Sequence, residues 1–199
     1  MRAVNRVNLE DPPFLRALFG DVRLAWVWLV VRLYLGYEWL EAGLHKIGDP
    51  AWMQTGEAVK GFWTRAVAIP AQGRPPITYG WYRDFLNGLL ASESHAFFAK
   101  LVTLGEVAVG IALILGAFVW IAAFFGALMN MNFMLAGTAS TNPVLLLIAI
   151  LLIIAWKTAG YWGLDRFLLP ALGTRRSIGY LLRRSSGASQ TSATTPTET

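Results

Sequence analysis

The run Leu101–Gly137 carries one charged residue, Glu106, in 37 positions. As a single helix it would be about 55 Å long at 1.5 Å per residue, far beyond a hydrocarbon core of ~30 Å. It must therefore fold back as a hairpin of two apolar helices. Gly116 is the simplest place for the turn, because glycine takes the backbone conformations a reversal needs. A chain that must hide such a hairpin is either large and soluble or set in a bilayer. With 199 residues, 55% hydrophobic and 15% charged, the bilayer is the reading, since average soluble domains are about a quarter charged.

Two further spans follow. One runs from Leu24 to Lys46. Another begins at Pro143, a favourable first-turn residue, and continues through Trp156 to about Trp162. The expected fold is all-α: a polytopic membrane four-helix bundle over residues 24–173, with spans at 24–46, 97–116, 118–137 and 143–163 and an outer loop at 47–96. Residues 1–23 form a basic N-terminal segment without the continuous apolar core of a cleavable signal peptide, so the first span is expected to act as its own insertion signal. Arg2, Arg6, Arg16 and Arg23 precede the spans, and Lys157, Arg166, Arg175, Arg176, Arg183 and Arg184 follow or end them. The basic residues of the loop are instead offset by Asp49, Glu57, Asp84 and Glu93. This asymmetry places both termini in the cytoplasm and the loop outside, in a multi-pass protein of the cell membrane. The net charge of +5 follows from the same bias, so no nucleic-acid partner is expected. The arginine pairs at 175–176 and 183–184 suit anionic lipid headgroups, and the small polar C-terminal end of the 174–199 tail suits disorder.

The chain has no cysteine. Disulfides, iron–sulfur clusters, thioether-linked haem and thiol nucleophiles are thereby excluded from its own chemistry. The two histidines, His45 and His95, both fall near the outer boundary, where an interfacial role is commoner than haem ligation; no bound metal or haem is expected. In the loop, Gly56–Val67 and Thr78–Leu90 show helical spacing on either side of the Pro/Gly-rich stretch Pro70–Pro76. Trp52, Trp63, Tyr79, Trp81 and Tyr82 have the amphipathic character of boundary aromatics. These helices either lie on the outer surface or cover a cavity.

Ionisable residues within spans are costly and point to function. At 1.5 Å per residue, Glu38, Glu106 and Asn130 lie about 10–13 Å below the outer boundary, while Glu41, His45, Lys46, Lys100 and Asn132 lie within roughly the outermost 8 Å. Arg32 is deeper, near 21 Å. Around the first span, Glu38, Glu41 and His45 share one face, whereas Arg32, Gly36, Trp39 and Gly43 share another. Arg32 then needs a partner from another helix or a cluster of carbonyls. Two carboxylates at one depth resist joint ionisation, so Glu38 and Glu106 are candidates for proton transfer, and the deeper Arg32 is a third catalytic candidate. Packing alone is the competing explanation, since such charges also pair between helices.

The stretch RLYLGYEWLEAGLHK (Arg32–Lys46), with Arg32, Gly36, Gly43 and Lys46, resembles the first span of the DoxX/DoxD family of four-helix membrane proteins. GEVAVGIALILG (Gly105–Gly116) is similar to that family's second span, and the regions Met129–Pro143 and Ala155–Pro170 are similar to it as well. The long aromatic loop resembles the DoxD branch. That resemblance implies the membrane subunit of a thiosulfate:quinone oxidoreductase, which joins two thiosulfates as tetrathionate and passes the electrons to a membrane quinone. It also implies a second, smaller subunit. For other members it implies a non-enzymatic scaffold for redox or oxidative-stress proteins. On the enzymatic reading, Glu41, His45, Lys46, Lys100, Asn130 and Asn132 are candidate substrate-binding residues, and Tyr34 and Trp39 are candidate quinone contacts. A solute or proton pathway fits less well, because the fourth span has an apolar centre.

Overall fold

The computed structural model describes residues 12–173. The readings made for Arg2, Arg6, Arg175, Arg176, Arg183, Arg184 and the polar tail lie outside the described residues. The described residues are predominantly helical, and no strand occurs among them. In chain order the helices are α1 (Pro13–Gly20), a 3-10 turn at Val22–Leu24, α2 (Ala25–Ile47), α3 (Pro50–Met53), α4 (Glu57–Val67), α5 (Gly80–Ala91), α6 (His95–Leu115), α7 (Val119–Leu135), α8 (Asn142–Ile154), α9 (Trp156–Ala159) and α10 (Asp165–Ala171). The chain divides into two compact units, Met1–Arg166 and Phe167–Thr199. Within the second, the described residues are the end of α10 and its closing turn.

The reversal falls where the apolar run requires it. Helix α6 ends at Leu115, and Gly116 takes a left-handed conformation with φ 68°. A side chain there would also overlap the Arg32 guanidinium. The position is therefore restricted to glycine by both backbone conformation and space. Phe118, also left-handed, leads into α7. Both expected loop helices form as α4 and α5. The fourth apolar segment differs from expectation: α8 stops at Ile154, and the chain breaks at Ala155 before the short α9. The Thr158 hydroxyl bonds the carbonyls of Ala155 and Phe19, at 3.0 and 3.2 Å, so this segment is tied locally and back to α1 instead of continuing as one helix.

Helices α2 and α6 pack most extensively, through glycines placed where the backbones cross. A β-carbon on Gly110 would lie 2.6 Å from the Leu40 amide nitrogen, and one on Gly43 would lie 2.9 Å from that of Val107. Small residues at such a crossing let two helices approach within backbone contact. Gly110→Ala is therefore expected to destabilise the protein by about 1–3 kcal/mol through overpacking, despite the ~1 kcal/mol better helix propensity of alanine. Thermal unfolding in detergent checks this; an unchanged or raised midpoint would show that the helices separate at no cost.

One apolar core lies among α2, α6, α7, α8 and α9 and includes Trp28, Leu35, Leu113, Val119, Ala149 and Leu152. A second lies under the outer helices and includes Val59, Trp63, Ile77, Tyr82, Leu86 and Ala136. Trp63 and Tyr82 are thus core residues, whereas Tyr79 and Trp81 are exposed. That separates the five aromatics grouped above as boundary residues. The outward faces of the long helices are also apolar: Trp26 and Val30 on α2, Leu104 and Ile111 on α6, Phe124 and Leu128 on α7, and Leu147 and Ile150 on α8 are all exposed. Continuous apolar faces of this extent are what lipid covers and water does not. Helix α6 is long and apolar enough to cross a bilayer, while α7 and α8 are apolar but shorter.

Candidate functional site

Helix α2 supplies Glu38, Trp39 and Lys46, α6 supplies Glu106, and α7 supplies Asn130. All five line one cavity of about 570 Å³. The three residues matched in depth by sequence therefore meet around a common space. Its remaining wall comes from α4, through Glu57, Gly61, Phe62 and Arg65, and from the α7–α8 turn, through Thr138 and Ser140 to Asn142.

A short ion pair in the cavity joins two depth layers. Lys46 Nζ lies 2.6 Å from Glu106 Oε2, and Glu106 is 2% exposed. The same ammonium donates to the Ala42 carbonyl at 3.2 Å and sits 5.0 Å from the Trp52 ring centroid. A cation held by a carboxylate, a carbonyl and an aromatic face is fixed in position. The pairing gives Glu106 a counterion that its depth relation to Glu38 did not suggest.

Asn130 is the opposite case. It is fully buried, and neither its amide oxygen nor its amide nitrogen has a hydrogen-bond partner in the chain. The indole N–H of Trp39 is also buried and unpartnered. Buried polar groups without partners are rare and costly, so two of them beside one cavity mark where a polar ligand or water would be bound.

The other sequence candidates lie elsewhere. Glu41 and His45 face outward and approach each other at 3.9 Å, with His45 80% exposed. Lys100 and Tyr34 are exposed and line neither cavity described here. Asn132 turns toward a second, apolar cavity, where its backbone carbonyl and side-chain oxygen accept the Tyr82 hydroxyl at 3.0 and 3.2 Å. Burial pushes the Tyr82 hydroxyl above its ordinary pKa. Arg83 donates to the Ile77 carbonyl at 2.7 Å and lines neither cavity.

Arg32 is remote from Glu106. It is buried against the α6–α7 turn, with the backbones of Gly116 and Gly163 beside its guanidinium, and it donates to the Trp162 carbonyl at 3.2 Å. This matches the requirement for a partner from another element. Asp165 contributes an attractive field there while accepting the amides of Phe118 and Val119 at 2.6 and 2.9 Å. Burial raises the Asp165 carboxyl pKa, and the two amides and Arg32 oppose that rise.

Sequence reading missed Arg65 and Glu57 as cavity residues. The signal was present: Glu57, Gly61 and Arg65 recur every four residues on α4 and so share a face. Among the described residues no group of three metal-ligating side chains is placed to hold a metal ion.

The DoxX family profile matches residues 27–139, more than half of the chain. The chain belongs to the DoxX family. DoxX is a membrane family, which agrees with the lipid-suited outer faces and makes the bilayer a partner of this chain. The DoxX match encloses the paired Lys46 and Glu106 as well as Glu38 and Asn130, and ends before Asp165. No curated protein and no solved structure matches the chain.

Proposed function

We propose that this DoxX chain is a four-helix, multi-pass membrane bundle with both termini in the cytoplasm, and that it serves as the membrane subunit of a quinone-linked oxidoreductase oxidising thiosulfate. In this reading α2, α6, α7 and α8 cross the bilayer, and the Lys46–Glu106 end faces outward. The observation that carries it is the cavity combining a buried ion pair, a second carboxylate and the unpartnered Asn130 amide. Lys46 is committed to Glu106, so Arg65 supplies positive charge for an oxyanion, while Asn130 and the Trp39 N–H supply hydrogen bonds.

The chemistry balances without a thiol. Each of two thiosulfates loses one electron, and a new S–S bond joins them as tetrathionate. The quinone gains both electrons and two protons to become quinol. Glu38 and Glu106 are the proton carriers on this chain, and Lys46 orients Glu106.

Purified protein, alone and with co-purifying subunits, is incubated with thiosulfate and a soluble quinone while quinol absorbance is followed. Turnover is expected, with Glu38→Gln and Glu106→Gln each lowering the rate by about 10²-fold or more. Unchanged rates would clear those carboxylates of a role. No quinol in either preparation overturns the enzymatic reading and favours the scaffold role.

A further inference from the structure

We propose that the apolar chamber bounded by α4, α5, α6 and α7 is the quinone-binding site, an inference that rests on the quinone-linked reading above. The chamber has a volume of about 460 Å³, within the range of small-molecule sites, and eight aromatic side chains line it. Four of its lining residues are half-exposed: Phe85, Leu101, Phe125 and Leu128, at 47, 52, 51 and 47%. The mouth therefore opens on the apolar flank, where lipid lies, so its occupant arrives from the bilayer.

The walls select among lipid-soluble molecules. A saturated acyl chain gains nothing specific from aromatic neighbours, whereas a flat conjugated ring stacks on them. Tyr82 and Asn132 form a polar corner suited to a ring carbonyl, because the Tyr82 hydroxyl can turn from Asn132 to donate to it.

Position gives the second argument. Trp52, Phe62 and Phe133 line both this chamber and the polar cavity. The rings of Phe62 and Phe133 meet edge to face, with centroids 6.5 Å apart. A reductant in the polar cavity and a quinone in the chamber are thus separated by one layer of aromatic side chains. Two electrons, one from each of two thiosulfates, cross that layer, and two protons drawn from water and carried by Glu38 and Glu106 follow them to complete the quinol. The quinone site moves away from Tyr34, which lines neither cavity, and Trp39 belongs to the reductant side.

Gly105 offers a selective test. It lines the chamber, and a β-carbon there meets only Met129 Sδ, at an ordinary 3.5 Å, so a leucine fits the helix and fills the space. The chain is placed in quinone-free phosphatidylcholine nanodiscs without thiosulfate and titrated with decylubiquinone, and quenching of tryptophan fluorescence is recorded. Saturable quenching is expected, with Kd raised at least tenfold in Gly105→Leu. Ala108→Phe, from the next turn of the same wall, is expected to act likewise and covers the case in which the first variant fails to fold. Equal affinity in wild type and a folded variant overturns the assignment, as does equal displacement by a brominated fatty acid, which would mark an acyl-chain site. Binding without thiosulfate turnover supports the chamber while removing the proposed reaction. Turnover unaffected by both substitutions removes the chamber and leaves the reaction.

Discussion

Lys46→Met is expected to lower stability by about 3–5 kcal/mol, the usual cost of removing one partner of a buried ion pair. Lys46 Nζ and Glu106 Oε2 are 2.6 Å apart, and Glu106 has almost no access to solvent. Methionine preserves much of the apolar stem but leaves a carboxylate without its cation. The loss therefore belongs to the abandoned charge more than to the contact itself. Lys46→Met combined with Glu106→Gln is expected to recover most of it, because no uncompensated charge then remains. Reversible unfolding in mixed micelles, followed by tryptophan fluorescence, gives the three values for a double-mutant cycle. A single-variant loss below about 1 kcal/mol, or a double variant as unstable as the summed singles, would mean that the pair is hydrated and energetically minor.

Asp165→Ala is the second large effect expected, at about 3 kcal/mol or more. Its buried carboxylate accepts two amides, from Phe118 at 2.6 Å and Val119 at 2.9 Å, at the start of α7. Hydrogen bonds to a charged group contribute about 1.5–3 kcal/mol each, and negative charge is favoured at a helix N-terminus. Alanine leaves both amides unpaired and takes away the anion that offsets Arg32. Hydrogen exchange of the Phe118 and Val119 amides is expected to accelerate in the variant, and Asp165→Asn is expected to fall between it and wild type. If these amides exchange as slowly in Asp165→Ala as in wild type, α7 is capped by something else.

These two residues show where sequence reading succeeded and where it stopped. That Arg32, Gly36, Trp39 and Gly43 share one face of α2 follows from helical periodicity, and the structure buries all four. The common depth of Glu38, Glu106 and Asn130 follows from helix rise, and they line one cavity. Depth along an axis does not give rotation about it, however. Glu41, His45 and Lys100 share the shallow layer but face outward, whereas Lys46 from that layer reaches down to Glu106. Asn132, two residues from Asn130, turns to the other cavity because adjacent helical positions diverge by about 100° each.

By itself the sequence determined what local chemistry determines. An apolar run too long for one span forced a hairpin, and Gly116 marked its turn. Helical spacing in the loop yielded α4 and α5. The tertiary structure alone decided that Lys46 takes Glu106 as its partner across 60 positions, that Asp165 caps a helix begun 46 positions earlier, and that α4 walls both cavities. The physical reason is range. Hydrophobic period, helix rise and turn conformation act within a few residues, whereas an ion pair or a shared wall depends on how closely and at what rotation distant helices pack. That is set by where glycines such as Gly43 and Gly110 let one backbone rest against another.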